Sequence, residues 1–152
     1  MITVNVEINN NSWHKKIKKP KIYFNKKLKK INKTISFFKK KKISFTILLT
    51  NSSNMRKLNK KFRNINKSTD VLSFPYFSHK YLKNMKEKNI YIGDLAISYE
   101  IINSRSKKSI FNIEFDKVWI HGLLHLIGHD HIKNKDFFKM QRIEKKILKQ
   151  IY

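Results

Sequence analysis

The stretch His121-Gly122-Leu123-Leu124-His125-Leu126-Ile127-Gly128-His129-Asp130-His131 gathers four of the chain's six histidines into eleven residues. With Val118-Trp119-Ile120 ahead of it, the segment is apolar on nearly every side, the pattern of a helix that belongs in a core. Imidazoles carried by such a helix cost free energy unless each finds a partner. His121 and His125 stand at i and i+4, on one face a turn apart, where a single ion can bridge them. Along an unbroken helix His129 would lie about 12 Å from His121, too far to share that ion. Gly128 accepts the left-handed backbone that ends helices, so the chain can double back and bring His131 to the same point. Three histidines leave a fourth position open, as in catalytic rather than structural zinc sites. A lone histidine here would be a hydrogen-bonded core residue or a surface one. The H-x3-H-x5-H spacing with glycine at the turn favours the metal. Asp130 is a candidate to accept an imidazole N–H at the edge of the site, and His129 either joins it or faces solvent.

The elements around this helix follow from periodicity. Ile2, Val4, Val6 and Ile8 alternate with polar residues, as in a half-buried strand. Phe24, Leu28, Ile31, Ile35 and Phe38 recur at helical spacing opposite a mostly lysine face, until Lys39 to Lys42 end the element. Ile43, Phe45 and Ile47 continue into Leu48-Leu49 as a second strand. Met55, Leu58 and Phe62 mark a short helix, Val71 to Phe74 a short strand stopped by Pro75, and Ile90 to Ser98 a last strand. Residues 76–89 read as a polar loop with aromatics. Helices are predicted near 99–108, 112–128 and 134–151. The expected fold is α+β: a single mixed sheet of about four strands covered by helices, with a buried histidine-bearing helix and a helical C-terminal third. No repeat, linker or compositional break divides the chain, so 1–152 reads as one domain.

Composition bounds the function. The formal charge is +25, from 35 basic and 10 acidic residues, which attracts polyanions, nucleic acid first. Of the basic residues only four are arginine, and the abundance of Lys, Asn, Ile and Phe resembles drift toward A/T-rich codons, so charge supports nucleic-acid binding only modestly. Absence of cysteine removes disulfides and thiolate ligands and suits a reducing cytosol. No signal peptide and no apolar run of about 20 residues is evident. A cytoplasmic protein without a membrane partner is expected.

A second constellation lies upstream. Leu58-Asn59-Lys60-Lys61-Phe62-Arg63 precedes Thr69-Asp70-Val71-Leu72-Ser73-Phe74-Pro75 by a few residues. Arg63 is either an ordinary surface arginine or a planar, bidentate phosphate donor that lysine cannot imitate. Asp70 is equally a cap or turn residue, and Gly93-Asp94 reads as a bulge or tight turn at a strand. The histidine spacing also occurs in zinc endopeptidases of the metzincin type, where glutamate, the general base, follows the first histidine. Here that residue is Gly122, which cannot take a proton from water.

Together these segments resemble the YbeY family of bacterial metal-dependent endoribonucleases, over about two-thirds of the chain from Asn54 to Leu148. The likeness rests on Asn59 and Arg63, on Thr69 to Pro75, on Gly93-Asp94 and on the full histidine motif, in which Gly122 is the family's own residue. Met140, Glu144 and Ile147-Leu148 match the family's last helix. The resemblance implies one zinc ion per chain on His121, His125 and His131, with Arg63 and His121 as catalytic residues. Asp130, Asp70 and Asn59 are further candidates near the metal or substrate. It implies action on single-stranded RNA at the 3′ end of 16S rRNA, work with the small ribosomal subunit and its assembly factors, a part in ribosome quality control, and no DNA substrate. Ser68, where the family commonly has proline, and the basic Ile132-Lys133-Asn134-Lys135, where relatives are often acidic, depart from the pattern without touching a proposed ligand.

A metal can activate a nucleophile without a neighbouring glutamate, either water or the RNA's own 2′-OH. Arg63 would neutralise the charge developing on phosphorus. Two rivals stand beside this reading: a zinc peptidase drawing its base from elsewhere, and a non-catalytic ribosome-assembly factor with a structural zinc. The loop Tyr76 to Tyr81 either packs its aromatics over the core edge or stacks unpaired bases.

Overall fold

The computed structural model describes residues 1–31, 35, 41–130 and 134–152. Four strands, β1 (Ile2–Ile8), β2 (Lys42–Thr50), β3 (Val71–Pro75) and β4 (Asn89–Ser98), form one sheet in the order β1-β2-β4-β3. β1, β2 and β4 run parallel, while β3 pairs antiparallel with β4 at the edge. The sheet is therefore mixed, as expected. Pro75, which has no N–H to give, ends the edge strand, where a lost ladder bond costs least. Between Ser44/Tyr91 and Thr46/Asp94 the register slips, so Ile92 and Gly93 oppose Phe45 alone, which resolves Gly93 as a bulge.

Helices α1 (Ser12–Lys16), α2 (Pro20–Ile31), α3 (Ser52–Arg63), α4 (His79–Asn84), α5 (Tyr99–Arg105), α6 (Phe111–Leu126) and α7 (Asn134–Ile151) complete the described elements, with a short 3-10 turn at Ser106–Lys108. The expected helix from Phe24 toward Phe38 is observed to Ile31; Ile35 is buried, and Phe38 and the start of the lysine run lie outside the described residues. Two short helices are not predicted by periodicity, α1 in a stretch given no element and α4 within residues 76–89, read as a loop. Trp13 anchors α1 in the core and donates from Nε1 to Thr50 O at 2.9 Å. Leu82 anchors α4, whose N-cap Ser78 accepts from Tyr81 N. Helices of five or six residues give no periodicity to read, and each is held by one buried side chain. Among the described residues, no helix is long and apolar enough to cross a membrane.

The alternation of each strand sorts its side chains. Ile2 and Val4, Ile43 to Leu49 at every second residue, and Ile90, Ile92, Leu95 and Ile97 all enter the main core. On that face α2 contributes Phe24 and Leu28, and α6 contributes Phe115, Trp119 and Leu123. The opposite face is covered by α3, where Met55 packs on Leu72 and Ala96. Buried on nearly all sides, α6 is the central helix that its apolar sequence requires.

Among the described residues, one ionisable side chain is buried in this core. Asp116 of α6 is 0% exposed and collects four donors: Tyr23 Oη at 2.8 Å, Trp119 Nε1 at 2.7 Å, and the Lys27 ammonium and the Tyr152 hydroxyl. Burial, reinforced by the Asp116 charge and its hydrogen bonds, pushes the Tyr23 and Tyr152 hydroxyls above their ordinary range, so both remain donors at neutral pH. The Lys27 ammonium also lies over the Tyr23 and Tyr152 rings, at 4.7 and 4.3 Å from their centroids. This network ties α2 and the end of the chain to α6, and nothing in the spacing of the sequence announces it. Asp116→Ala leaves a mostly buried cation and three donors unmatched. Urea unfolding should register a loss of about 3–5 kcal/mol, whereas a shift of a few tenths would show that the network holds nothing.

Candidate metal centre

α6 enters the site with its apolar surround fixed and its two histidines on the flank between β3 and α7. The Nε2 atoms of His121 and His125 face each other at 3.1 Å, with ring centroids 4.7 Å apart and planes at 79°. Nitrogen ligands held at about 2.0–2.1 Å on a tetrahedron stand about 3.3 Å apart. The donor set and its spacing therefore fit zinc. Glu144 of α7 completes this corner, its Oε1 accepting from His121 Nδ1 at 2.7 Å. A proton on Nδ1 leaves Nε2 with its lone pair toward the point that His125 also faces, which is the usual way a carboxylate orients a metal-binding histidine.

The helix ends as the glycine predicts. Gly128 takes φ +87°, its N–H donates to His125 O at 2.9 Å, and His129 N donates to Leu124 O at 2.9 Å. This Schellman turn reverses the chain and puts His129 and Asp130 on the wall of the same cleft. His131, the third candidate ligand, lies outside the described residues. Among those described, no group of three metal-binding side chains forms.

Gly122 has a packing reason. A Cβ there would meet Leu95 Cδ2 at 2.9 Å and Val71 Cγ2 at 3.1 Å, so any larger residue requires those two side chains to shift. Its carbonyl accepts from Ser73 Oγ at 3.3 Å. A glutamate at this position would face the sheet and not the cleft.

The cleft encloses about 1170 Å³ between β3, α6 and α7. Arg63, the last residue of α3, opens onto it together with His121 and His125. Asn64 follows with φ +58°, a left-handed cap that stops the helix there. Arg56 is bonded to Asn66 Oδ1 at 2.8 Å and Arg105 to Asp70 Oδ2 at 2.6 Å, whereas Arg63 has no such partner among the described residues. Asp70 lines the cleft but is occupied: Val71 N donates to Oδ1 at 2.8 Å and Thr69 Oγ1 at 3.2 Å. Burial pushes the Asp70 carboxyl up, but the Arg105 bond and charge, with those two donors, outweigh it and hold the group below its usual range. It is thus an anion that anchors the start of β3. Asn59 is buried and does not line the cleft; its Nδ2 donates to Lys67 O at 2.8 Å, pinning the turn that follows Arg63.

Sequence reasoning gave Glu144 no role of its own and passed over Lys117, Gln141 and Lys145, which also line the cleft. One signal was available for Glu144: α7 has only two acidic residues among its many lysines, in a chain poor in acids.

Comparison with known proteins agrees with these motifs. The protein family described as Endoribonuclease YbeY matches residues 7–152. An Endoribonuclease YbeY of Pelagibacter ubique (strain HTCC1062) is 51% identical over 153 residues, covering 99% of this chain and 97% of the relative. One from Thermodesulfovibrio yellowstonii is 31% identical, covering 88% of this chain and 92% of its own. The solution structure of a Thermotoga maritima protein superposes with a TM-score of 0.64 at 23% identity, over 99% of this chain and 89% of that one, a likeness of fold.

The carboxylate–histidine contact can be tested apart from any activity. Glu144→Ala should weaken zinc binding by about 10–100-fold in a chelator competition, with Glu144→Gln recovering part of the loss. Unchanged affinity in the alanine variant would remove Glu144 from the site.

Proposed function

This chain belongs to the YbeY family of endoribonucleases, and we propose from that premise that it is a zinc-dependent endoribonuclease specific for single strands. Its substrate is the 3′ end of 16S rRNA, which it matures and polices on the small ribosomal subunit with that subunit's assembly factors, in the cytoplasm, the whole 1–152 chain acting as one domain. The observation that carries this reading is the convergence on one cleft of Arg63, which has no side-chain partner among the described residues, and a paired-histidine corner.

Zinc bound by His121, His125 and His131 would polarise a phosphoryl oxygen and lower the pKa of water. The chain's own groups do the remainder. Glu144 takes the Nδ1 proton of His121 in a hydrogen bond and so keeps Nε2 unprotonated toward the cleft. Arg63 lays its guanidinium against the scissile phosphate, where a fixed bidentate cation counters the charge that grows as the fifth oxygen bonds to phosphorus. Lys117 and Lys145 line the same cleft and neutralise neighbouring phosphates, supplying attraction without reading sequence. Asp70, held ionised by Arg105, fixes β3 beneath the substrate and is not needed as a base.

The peptidase alternative must draw its base from somewhere other than the position after His121. Gly122 holds that place against Leu95, and the three carboxyls of the cleft, Asp70, Asp130 and Glu144, include two already committed to Arg105 and His121. The assembly-factor alternative makes a separate forecast about Arg63. If zinc is only structural, the parent chain binds one zinc ion and cleaves no RNA, so Arg63→Ala has no cleavage to lower. On the endoribonuclease reading it lowers cleavage of a single-stranded rRNA fragment by at least about 100–1,000-fold, with zinc content and thermal melting unchanged. Normal cleavage by that variant would refute the role given to Arg63.

A further inference from the structure

The first turns of α7 carry two adjacent aromatic residues that no part of the fold requires to be apolar. Phe137 is 45% exposed and Phe138 63% exposed, and their rings stand edge to face at 5.6 Å. On a helix turning about 100° per residue, Phe137 lies about 40° to one side of Gln141 and Phe138 about 60° to the other. Gln141 is a wall of the cleft, as are Glu144, Lys145 and Leu148 further along the same face. The core face, by contrast, is Met140, Ile147 and Ile151. The two phenylalanines thus prolong the cleft wall beyond Gln141 rather than the core.

Cations gather on two sides of the pair. Lys135 and Lys139 are exposed on the Phe138 side, Lys145 and Lys117 line the cleft below, and the exposed Asp136 lies on the Phe137 side away from the cleft. An apolar patch flanked by lysines suits a ligand with π faces on a polyanionic backbone. It does not suit a second copy of a chain with net charge +25. A second exposed aromatic group, at Tyr76 to Tyr81, lies off the α7 wall of the cleft; Phe77 stacks on Tyr81 at 5.1 Å and Tyr76 packs edge-on against both Phe77 and Tyr91.

We propose that Phe137 and Phe138 form a stacking platform for unpaired bases of the RNA whose phosphates occupy the cleft. This rests on the cleft being an RNA site. Six to seven residues separate the pair from Glu144, about 10 Å along the helix. The platform therefore engages a base a few nucleotides from the phosphate held at the histidine corner. A base already paired and stacked within a duplex cannot offer its face there, so the platform contributes to single-strand preference.

The test measures binding by fluorescence anisotropy, with zinc-loaded protein and an uncleavable 2′-O-methyl adenosine decamer. A phosphodiester decamer of abasic spacers serves as the backbone-only probe. In Phe137→Ala/Phe138→Ala the dissociation constant for the adenosine decamer should rise about 5- to 100-fold. That for the abasic decamer should not move, nor should the slope of log Kd against log salt, since no phosphate contact is lost. Phe137→Tyr/Phe138→Tyr should retain parental affinity. Parental affinity in the alanine variant, equal losses on both probes, or a change confined to self-association in sedimentation would each overturn the platform. Failure of the parent chain to bind either decamer would overturn the RNA reading of the cleft along with it.

Discussion

The site depends on the approach of α6 to the sheet at Gly122. A methyl group there would stand 2.9 Å from Leu95 Cδ2 and 3.1 Å from Val71 Cγ2, so α6 lies close over β3 and β4. Its rotation decides which side chains face out. Residues on either side of Gly122 fill the core with Trp119 and Leu123, while His121 and His125 emerge on the open flank. The same contact explains why a residue placed like a peptidase base is glycine. The position belongs to helix–sheet packing, and the cleft takes polar groups from other elements: Arg63 from the end of α3 and Glu144 from α7.

For α7 to deliver Glu144, its end must be held. The buried Asp116 does this from inside α6, binding Tyr152 after the last helix as well as Tyr23 and Lys27 from α2. A single fully buried carboxylate with four donors gives little net stability over an apolar core, but removal of the acceptor alone is costly. Its effect is to fix the arrangement of three helices, one turn away from the histidine that α7 supports.

Much of this was legible in the residues. The alternation of Ile2 to Ile8 and the apolar envelope of Val118 to Ile127 read directly as strand and buried helix, and Gly128 ended α6 where its φ requires. Arg63, His121 and His125 could be singled out because each stands apart from a lysine-rich background, and the cleft brings those three together. What stayed hidden depends on tertiary contact. Asn59, one turn before Arg63, looks the same in sequence as a substrate-binding residue, and only its burial and its bond to Lys67 show that it holds a turn. Asp70 reads equally as a cap or turn residue and as a candidate near the substrate, and only the bond from Arg105, 35 residues later, shows the ion pair it makes. Glu144 reaches His121 across 23 residues, a separation that no periodicity encodes.

The account turns on the histidine corner of α6 being a metal site with imidazole ligands. X-ray absorption at the zinc edge, on protein loaded with one equivalent, reads that ligand set directly. The prediction is a first shell of nitrogen and oxygen only, at about 2.0–2.1 Å, with outer-shell scattering from three imidazoles that falls to two in His125→Ala. A shell with fewer than two imidazoles, or one that His125→Ala leaves unchanged, would contradict it.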